Sequence, residues 1–262
     1  MATTKPLGST FSNLSAIPGL SHGYFSRQGG VSSPPWDGLN IGLNTGDDVN
    51  HVAENRRRVL DSLGVTRGFF VNQTHGTEVL VLKAGDKAAL DFWEPSSKNG
   101  AEKRIHSADA MVTDIPDLAL VIQVADCQAV ILVDPIHRVI ANVHSGWRGS
   151  VSNILGETVR TMVESFGSCP GDIVAGISPS LGPCCAQFIN YQSEIPKSLW
   201  KYKENKHYFD FWALSSDQLK NAGITRENIE ISARCTRCEF DTYFSYRKQP
   251  VTGRFAVAVA WG

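Results

Sequence analysis

The sequence lacks an excess of charge of either sign. Its 25 lysines and arginines face 26 acidic residues, a net of −1, so no long-range field draws the chain to nucleic acid or to an anionic membrane. It also lacks long apolar runs. Stretches such as Leu118 to Val124 and Ala129 to Val133 fall far short of the roughly 20 residues that span a bilayer. Met1 to Thr10 carries Lys5 with no useful apolar run behind it, so no signal peptide is expected and the setting expected is cytoplasmic. Cysteine is scarce: Cys127, Cys169, Cys184, Cys185, Cys235 and Cys238 are too few and too unevenly spaced in 262 residues for a disulfide framework, and reduced thiols are expected. Cys235 and Cys238 form half of a structural zinc pattern without a second clear pair, and read as ordinary thiols near a turn. There is no fixed-period repeat and no linker-like stretch, which points to one domain over residues 1–262.

What is present is an ordinary core-forming composition, 42% apolar, in a chain long enough to bury it. Residues 28–38 are turn-rich and read as a surface loop. From Val49 to Leu63, Val52, Val59, Leu60 and Leu63 recur at helical spacing behind Asp47 or Asp48 as N-cap. Short β-rich runs follow at Phe69–Asn72, Val79–Leu82, Ala110–Thr113, Leu118–Val124, Ala129–Val133 and Val139–Val143. The turns between them are too short for parallel crossovers throughout, so several neighbours must be antiparallel. A second helix is expected from Val151 to Phe166, packed on that sheet and ending before Gly167. A strand at Ile173–Ile177 and helices near Gln192–Lys201 and Phe211–Ala222 come next. The final run, Phe255–Trp261, is apolar on both faces and reads as a central strand.

Three of these strands run out into metal-capable side chains: His75, Cys127 and His144. Two imidazoles and a thiolate suit Zn²⁺ and leave a fourth position for water or substrate. Equally, Cys127 can be a core thiol and the histidines hydrogen-bonded loop residues. Gly146, Arg148 and Gly149 precede the expected helix and offer an anion site of amides plus a guanidinium; the alternative is a tight turn with Arg148 paired to a surface acid. Arg27 beside Gly29-Gly30, and Arg247 after Tyr246, offer weaker versions. Cys127 with His144 also admits a cysteine hydrolase, with Asp126 or Gln73 orienting the imidazole. Asp126 alone can be no more than a turn residue or cap.

Ordered blocks across most of the chain resemble the YfiH-like proteins, also called the laccase-domain or polyphenol oxidase family. The blocks include His22-Gly23-Tyr24-Phe25-Ser26-Arg27, Leu39-Asn40-Ile41-Gly42, Asn72-Gln73-Thr74-His75-Gly76, Ala108-Asp109-Ala110 and Ala125-Asp126-Cys127. They continue through His144-Ser145-Gly146-Trp147-Arg148-Gly149, Gly182-Pro183-Cys184-Cys185, Cys235-Thr236 and Phe244-Ser245-Tyr246-Arg247.

The resemblance implies an α/β (α+β) fold of mixed sheets flanked by helices, similar to the catalytic domain of cytotoxic necrotising factor toxins. It implies that His75, Cys127 and His144 are zinc ligands, with copper the alternative metal. The implied activities are phosphorolysis of adenosine, inosine and 5′-methylthioadenosine, and deamination of adenosine to inosine. Asp126, Arg148 and Cys127 are then the expected catalytic residues, Asp126 as proton carrier, and Arg27, Asn40, Gln73 and Arg247 the expected substrate contacts. The expected partners are purine nucleosides and phosphate, with no nucleic acid or membrane, for a monomer or small homo-oligomer. A copper polyphenol oxidase is a rival, weakened by seven histidines without one His-x-His pair; a non-catalytic binding protein is another. The chain departs from the family at Ser178-Pro179, where Gly-Pro is common, at Ala186-Gln187, where an aromatic-acidic pair is common, and at Val124 before Ala125-Asp126-Cys127.

Overall fold

The computed structural model describes residues 8–86, 92–93 and 106–262. Of the Met1–Thr10 stretch considered above, residues 1–7 lie outside the described residues. In chain order the strands are β1 Gly8–Ser9, β2 Leu20–Phe25, β3 Arg67–Phe69, β4 Val71–Asn72, β5 Val79–Leu82, β6 His106–Ser107 and β7 Ala110–Thr113. They continue as β8 Leu118–Val124, β9 Gln128–Asp134, β10 Val139–Ser145, β11 Val174–Ile177, β12 Ile229–Ile231 and β13 Phe255–Trp261. The helices are α1 Ser12–Ser15, α2 Val49–Leu63, α3 Trp147–Val151, α4 Ile154–Phe166, α5 Tyr191–Glu194 and α6 Phe211–Asn221.

A five-stranded sheet has the order β1-β2-β13-β8-β3, and a six-stranded sheet the order β12-β11-β9-β10-β7-β5. Both are mixed. β3 and β8, β5 and β7, and β11 and β12 run parallel, whereas β9, β10 and β7 form an antiparallel run, of which the short turn between β9 and β10 requires the first pairing. The central run of strands is divided, β3 and β8 going to the first sheet and β5, β7, β9 and β10 to the second. β13 lies between β2 and β8 with every residue buried.

Strand alternation sets the layers. On β13, Phe255, Val257, Val259 and Trp261 join Leu120 and Ile122 of β8 and Ile131 and Val133 of β9 in a core between the two sheets. The intervening Ala256, Ala258 and Ala260 meet Val59, Leu60 and Leu63 of α2 on the outer face, where small side chains let the helix approach. Beyond the second sheet, Val130, Leu132, Val139 and Val143 pack against Ile154, Leu155, Val159 and Met162 of α4. The result is a helix–sheet–sheet–helix stack, each large apolar side chain contributing about 1.5–3 kcal/mol by its burial. Asn142 faces into the inter-sheet core. Its amide donates to the Leu120 and Val257 carbonyls, each at 2.9 Å, so one polar side chain ties the second sheet to the first.

The expected elements differ from the observed ones where local backbone chemistry interrupts the pattern. The helix read from Val151 to Phe166 is two. Asn153 adopts φ 60°, ψ 46° and caps α4, and Val151 packs with Trp147 against a separate aromatic cluster around Phe209 and Phe211. The helix near Gln192–Lys201 is interrupted at Ile195-Pro196, leaving α5 and a 3₁₀ segment, Lys197–Tyr202, because proline disfavours helix in the residue before it. The run Phe69–Asn72 is divided between β3 and β4. Asp48 caps α2, accepting from the Asn50 amide at 2.8 Å. The 28–38 loop is less superficial than its composition suggests, for buried Asn55 of α2 donates to Ser32 and accepts from Val31.

Candidate metal centre

Each of the three metal-capable residues is delivered by its own element. The inner-face register of β10, Ile140, Asn142, His144, brings His144 to the end of its strand. Cys127 stands between β8 and β9, after Asp126 has turned the chain at φ 89°. His75 follows β4 in a turn at φ 62°, a conformation that is uncommon outside glycine and needs outside support.

Asp109 supplies that support. Fully buried at the start of β7, its carboxylate accepts from the His75 amide at 2.8 Å, the Gly76 amide at 2.7 Å, and the Thr74 amide and hydroxyl. It also meets His144 Nδ1 at 2.8 Å, which leaves Nε2 of that ring for the site. Burial disfavours the charge, yet His144, the Gly76 amide and Thr74 together hold the Asp109 carboxyl well below the usual carboxylate range.

One ligand atom from each of His75, Cys127 and His144 lies within 4.8 Å of the others. The two imidazole rings stand 4.8 Å apart, centroid to centroid, at 77°. Burial would push the Cys127 thiol up, but its hydrogen bonds to His144 and His75 outweigh that and pull it down to about 6. Burial likewise opposes protonation of His144, and Asp109 and Cys127 overcome it, raising His144 to about 9. The chemistry therefore favours a thiolate ready to receive a cation. Gly146 completes the fit. A Cβ there would lie 2.7 Å from His75 Nδ1 and 3.3 Å from Cys127 Sγ, so only glycine leaves room for the ligand set. Two nitrogens and a sulfur in this arrangement fit a zinc ion with one coordination position left for a ligand from outside.

The centre opens into a cleft of about 970 Å³ bordered by His75, Cys127 and His144. Trp147, Phe188, Phe211 and Tyr246 give it aromatic walls, and Arg247 and Arg254 bring guanidinium groups. Of the residues read from the sequence, Asp126, Gln73 and Arg247 also line the cleft. Asp126 is heavily engaged: one oxygen accepts from the Thr236 hydroxyl at 2.7 Å and the other from the Arg247 amide at 2.6 Å. Gln73 bonds the backbone of Gln123 in both directions, at 2.9 and 3.1 Å, and so prolongs the edge of β8. Arg247 donates to the Gln187 carbonyl at 2.9 Å.

The other expected contacts lie elsewhere. Arg148 is exposed on α3, 4.4 Å above the ring of Trp147, and does not border the cleft. Because α3 begins at Trp147, Arg148 falls within the helix on its outer side, not in the turn before it. Arg27 is buried between Phe240 and Phe244 and paired with Asp37 at 3.1 Å. Asn40 is fully buried. Its oxygen accepts from the Gly42 and Arg254 amides, at 3.0 and 2.8 Å, so it acts on the cleft by placing Arg254.

Two contributors escape a reading of residues alone. Asp109 sits in the Ala108-Asp109-Ala110 block, and its signal is a carboxylate opening an apolar strand. Arg254 carries no local signal beyond its place before β13. The cysteines also need correction. Cys235 and Cys238 are not an isolated pair, for Cys184 and Cys185 join them in a group of four.

Residues 21–262 match a family model described as multi-copper polyphenol oxidoreductase laccase. Purine nucleoside phosphorylase YfiH of Escherichia coli (strain K12) is 32% identical over 240 residues, covering 88% of this chain and 89% of that protein. Purine nucleoside phosphorylase YlmD of Geobacillus stearothermophilus is 30% identical over 254 residues, covering 91% and 88%. Among solved structures, the Bacillus licheniformis hypothetical protein YfiH superimposes with a TM-score of 0.82 at 30% identity, covering 93% of each chain. YlmD of Geobacillus stearothermophilus superimposes with a TM-score of 0.83 at 26% identity, covering 98% of this chain and 99% of that one.

Proposed function

This chain belongs to the YfiH-like family, and from that premise we propose that it is a zinc-dependent purine nucleoside phosphorylase. Its substrates in this proposal are adenosine, inosine and 5′-methylthioadenosine, released as free base and (methylthio)ribose 1-phosphate. Deamination of adenosine to inosine is proposed as a second activity of the same site. The observation that carries the proposal is that one cleft joins a three-ligand metal centre, two arginines and aromatic walls. No helix among the described residues is long and apolar enough to cross a membrane, and a thiolate ligand favours the reducing cytoplasm.

His75, Cys127 and His144 would hold the ion, which when bound would supply a Lewis acid at the base of the cleft. The remaining roles fall to the chain itself. Trp147, Phe188 and Tyr246 offer flat apolar faces for a purine. Arg247 and Arg254 offer the positive charge that an attacking phosphate requires beside the ribose. Asp126 accepts from the Arg247 amide, which suits it to positioning that arginine. Its alternative role as proton carrier requires release of one of its two hydrogen bonds.

Zinc is proposed over copper because the described residues offer a single histidine-bearing ligand group, whereas a multicopper array needs several histidine clusters. The cysteine hydrolase has one observation in its favour, the Cys127–His144–Asp109 series. The second imidazole, His75, on the same thiol is superfluous to such a triad and necessary to a metal centre.

The test is turnover of adenosine by zinc-loaded protein with and without phosphate, with products separated by chromatography. Adenine plus ribose 1-phosphate, formed only with phosphate, supports phosphorolysis; inosine formed without phosphate supports deamination. Cys127→Ala should lose both turnover and the ion of this centre. Undiminished activity after chelation that removes the zinc would favour the hydrolase, and normal zinc and turnover in Cys127→Ala would reject the assignment.

A further inference from the structure

Away from the cleft floor, four thiols converge from two distant segments. Cys184 and Cys185 follow the turn at Gly182, and Cys235 and Cys238 follow β12. Their sulfurs all lie within 4.8 Å of one another. Cys238 Sγ is 3.6 Å from Cys184 Sγ and 3.5 Å from Cys185 Sγ. A zinc ion with four sulfurs at about 2.3 Å in a tetrahedron sets them about 3.8 Å apart, so the observed spacing is close to that of a closed site. It is far above the S–S bond of about 2.05 Å in a disulfide.

Two hydrogen-bond donors reach these sulfurs. The Gly182 amide donates to Cys235 Sγ at 3.4 Å, and Arg237 donates to Cys185 Sγ at 3.5 Å. Both are donors to sulfur of the kind that support negative charge on a metal's ligands. Glycine is required for the first of them. A Cβ at Gly182 would lie 2.7 Å from the Trp212 ring and 3.2 Å from Cys235 Cβ. The two segments are also zipped by backbone, with Ser180 N donating to Arg234 O at 3.1 Å and Thr236 N to Ser180 O at 3.0 Å.

We propose that Cys184, Cys185, Cys235 and Cys238 form a second, structural zinc site that fastens the loop carrying Gln187 and Phe188 to the segment carrying Thr236 and Arg247. Four protein ligands fill the tetrahedron, so this ion takes no part in chemistry. Its effect reaches the cleft through covalent neighbours. Thr236, next to Cys235, donates to Asp126, and Arg247 donates to the Gln187 carbonyl two residues beyond Cys185. Losing the ion should therefore loosen one wall of the cleft and leave the His75, Cys127 and His144 centre in place.

The experiment is zinc analysis and X-ray absorption on full-length protein purified under reducing conditions, with Cys238→Ser and Cys127→Ala beside it. The unaltered chain should carry about two zinc ions, one ligated by sulfur alone. Cys127→Ala should keep the all-sulfur ion; Cys238→Ser should lose it, melt lower, and show a raised KM for nucleoside with a smaller change in kcat. Should Cys238→Ser fail to fold, cobalt substitution of the unaltered chain decides, since a tetrathiolate cobalt site has an intense sulfur-to-metal absorption band. An all-sulfur shell missing from unaltered protein, a disulfide joining Cys238 to Cys184 or Cys185, or free reaction of these four thiols with a thiol reagent in metal-loaded protein would each overturn the proposal. Zinc content, sulfur ligation and the melting point concern the second ion alone, so they decide this proposal separately from whether the cleft turns over nucleosides; only the KM comparison rests on the proposed function.

Discussion

At the scale of single residues, the candidate centre depends on a side chain that would not touch the ion. Asp109 orients His144 and holds the left-handed turn that carries His75. Asp109→Asn keeps the shape but replaces one acceptor by a donor facing amide N–H groups. It should lower zinc affinity about 10- to 100-fold, the usual cost of losing such a support, measured by competition with a chelating dye. Unchanged affinity would remove Asp109 from the account. Cys127 gives a test in pH. In zinc-stripped protein its alkylation should have a midpoint near 6, well below the free thiol's about 8.5. The sign for stability follows. The lowered thiol favours the fold above its unfolded value and loses that contribution as pH falls through about 6. The raised His144 favours the fold below its unfolded value and loses that contribution as pH rises through about 9. The pair is therefore intact between those limits, and an alkylation midpoint above 8 would contradict the geometry.

At the scale of elements, β13 shows how residue size is sorted by layer. Its large residues face the inter-sheet core and its alanines face α2. Ala258→Leu should cost about 1–3 kcal/mol through overpacking, seen as a lower denaturation midpoint at unchanged slope; a neutral result would mean the α2 interface has slack. The same alternation is why most elements were legible in the sequence. Val79–Leu82, Ala110–Thr113, Leu118–Val124 and the capped helix Val49–Leu63 stand as their patterns indicate. Legibility failed where periodicity and backbone disagree. Val151 continues the apolar stripe of α4, but the left-handed Asn153 separates them, and a pattern of side chains carries no record of that turn.

At the scale of the whole molecule, the site was legible through motif context and only partly through chemistry. His75, Cys127 and His144 are each a plausible loop or core residue, and their meeting is fixed by how two sheets stack. Arg148 misled because its glycine-rich setting resembles an anion loop, while α3 turns it outward. Arg254 and the four-thiol group were missed because their partners lie far away in the chain: Asn40 for the first, and for Cys184 and Cys185 the pair about fifty residues on. The first sheet also interleaves early and late segments, with β13 between β2 and β8. Deleting residues 255–262 should therefore unfold the sheet and not merely trim its edge, which circular dichroism and loss of bound zinc would report; a truncated chain that retains both would contradict this.

That interleaving also bears on when the candidate metal centre takes shape. The strand leading to Cys127 has no neighbour on its β13 side until Phe255–Trp261 takes its place, so the scaffold that brings the sulfur and the two imidazoles together is finished only when that segment docks. In the proposed metal centre, binding of the ion would therefore follow the docking of that late segment, and anything that delays the docking would delay the centre.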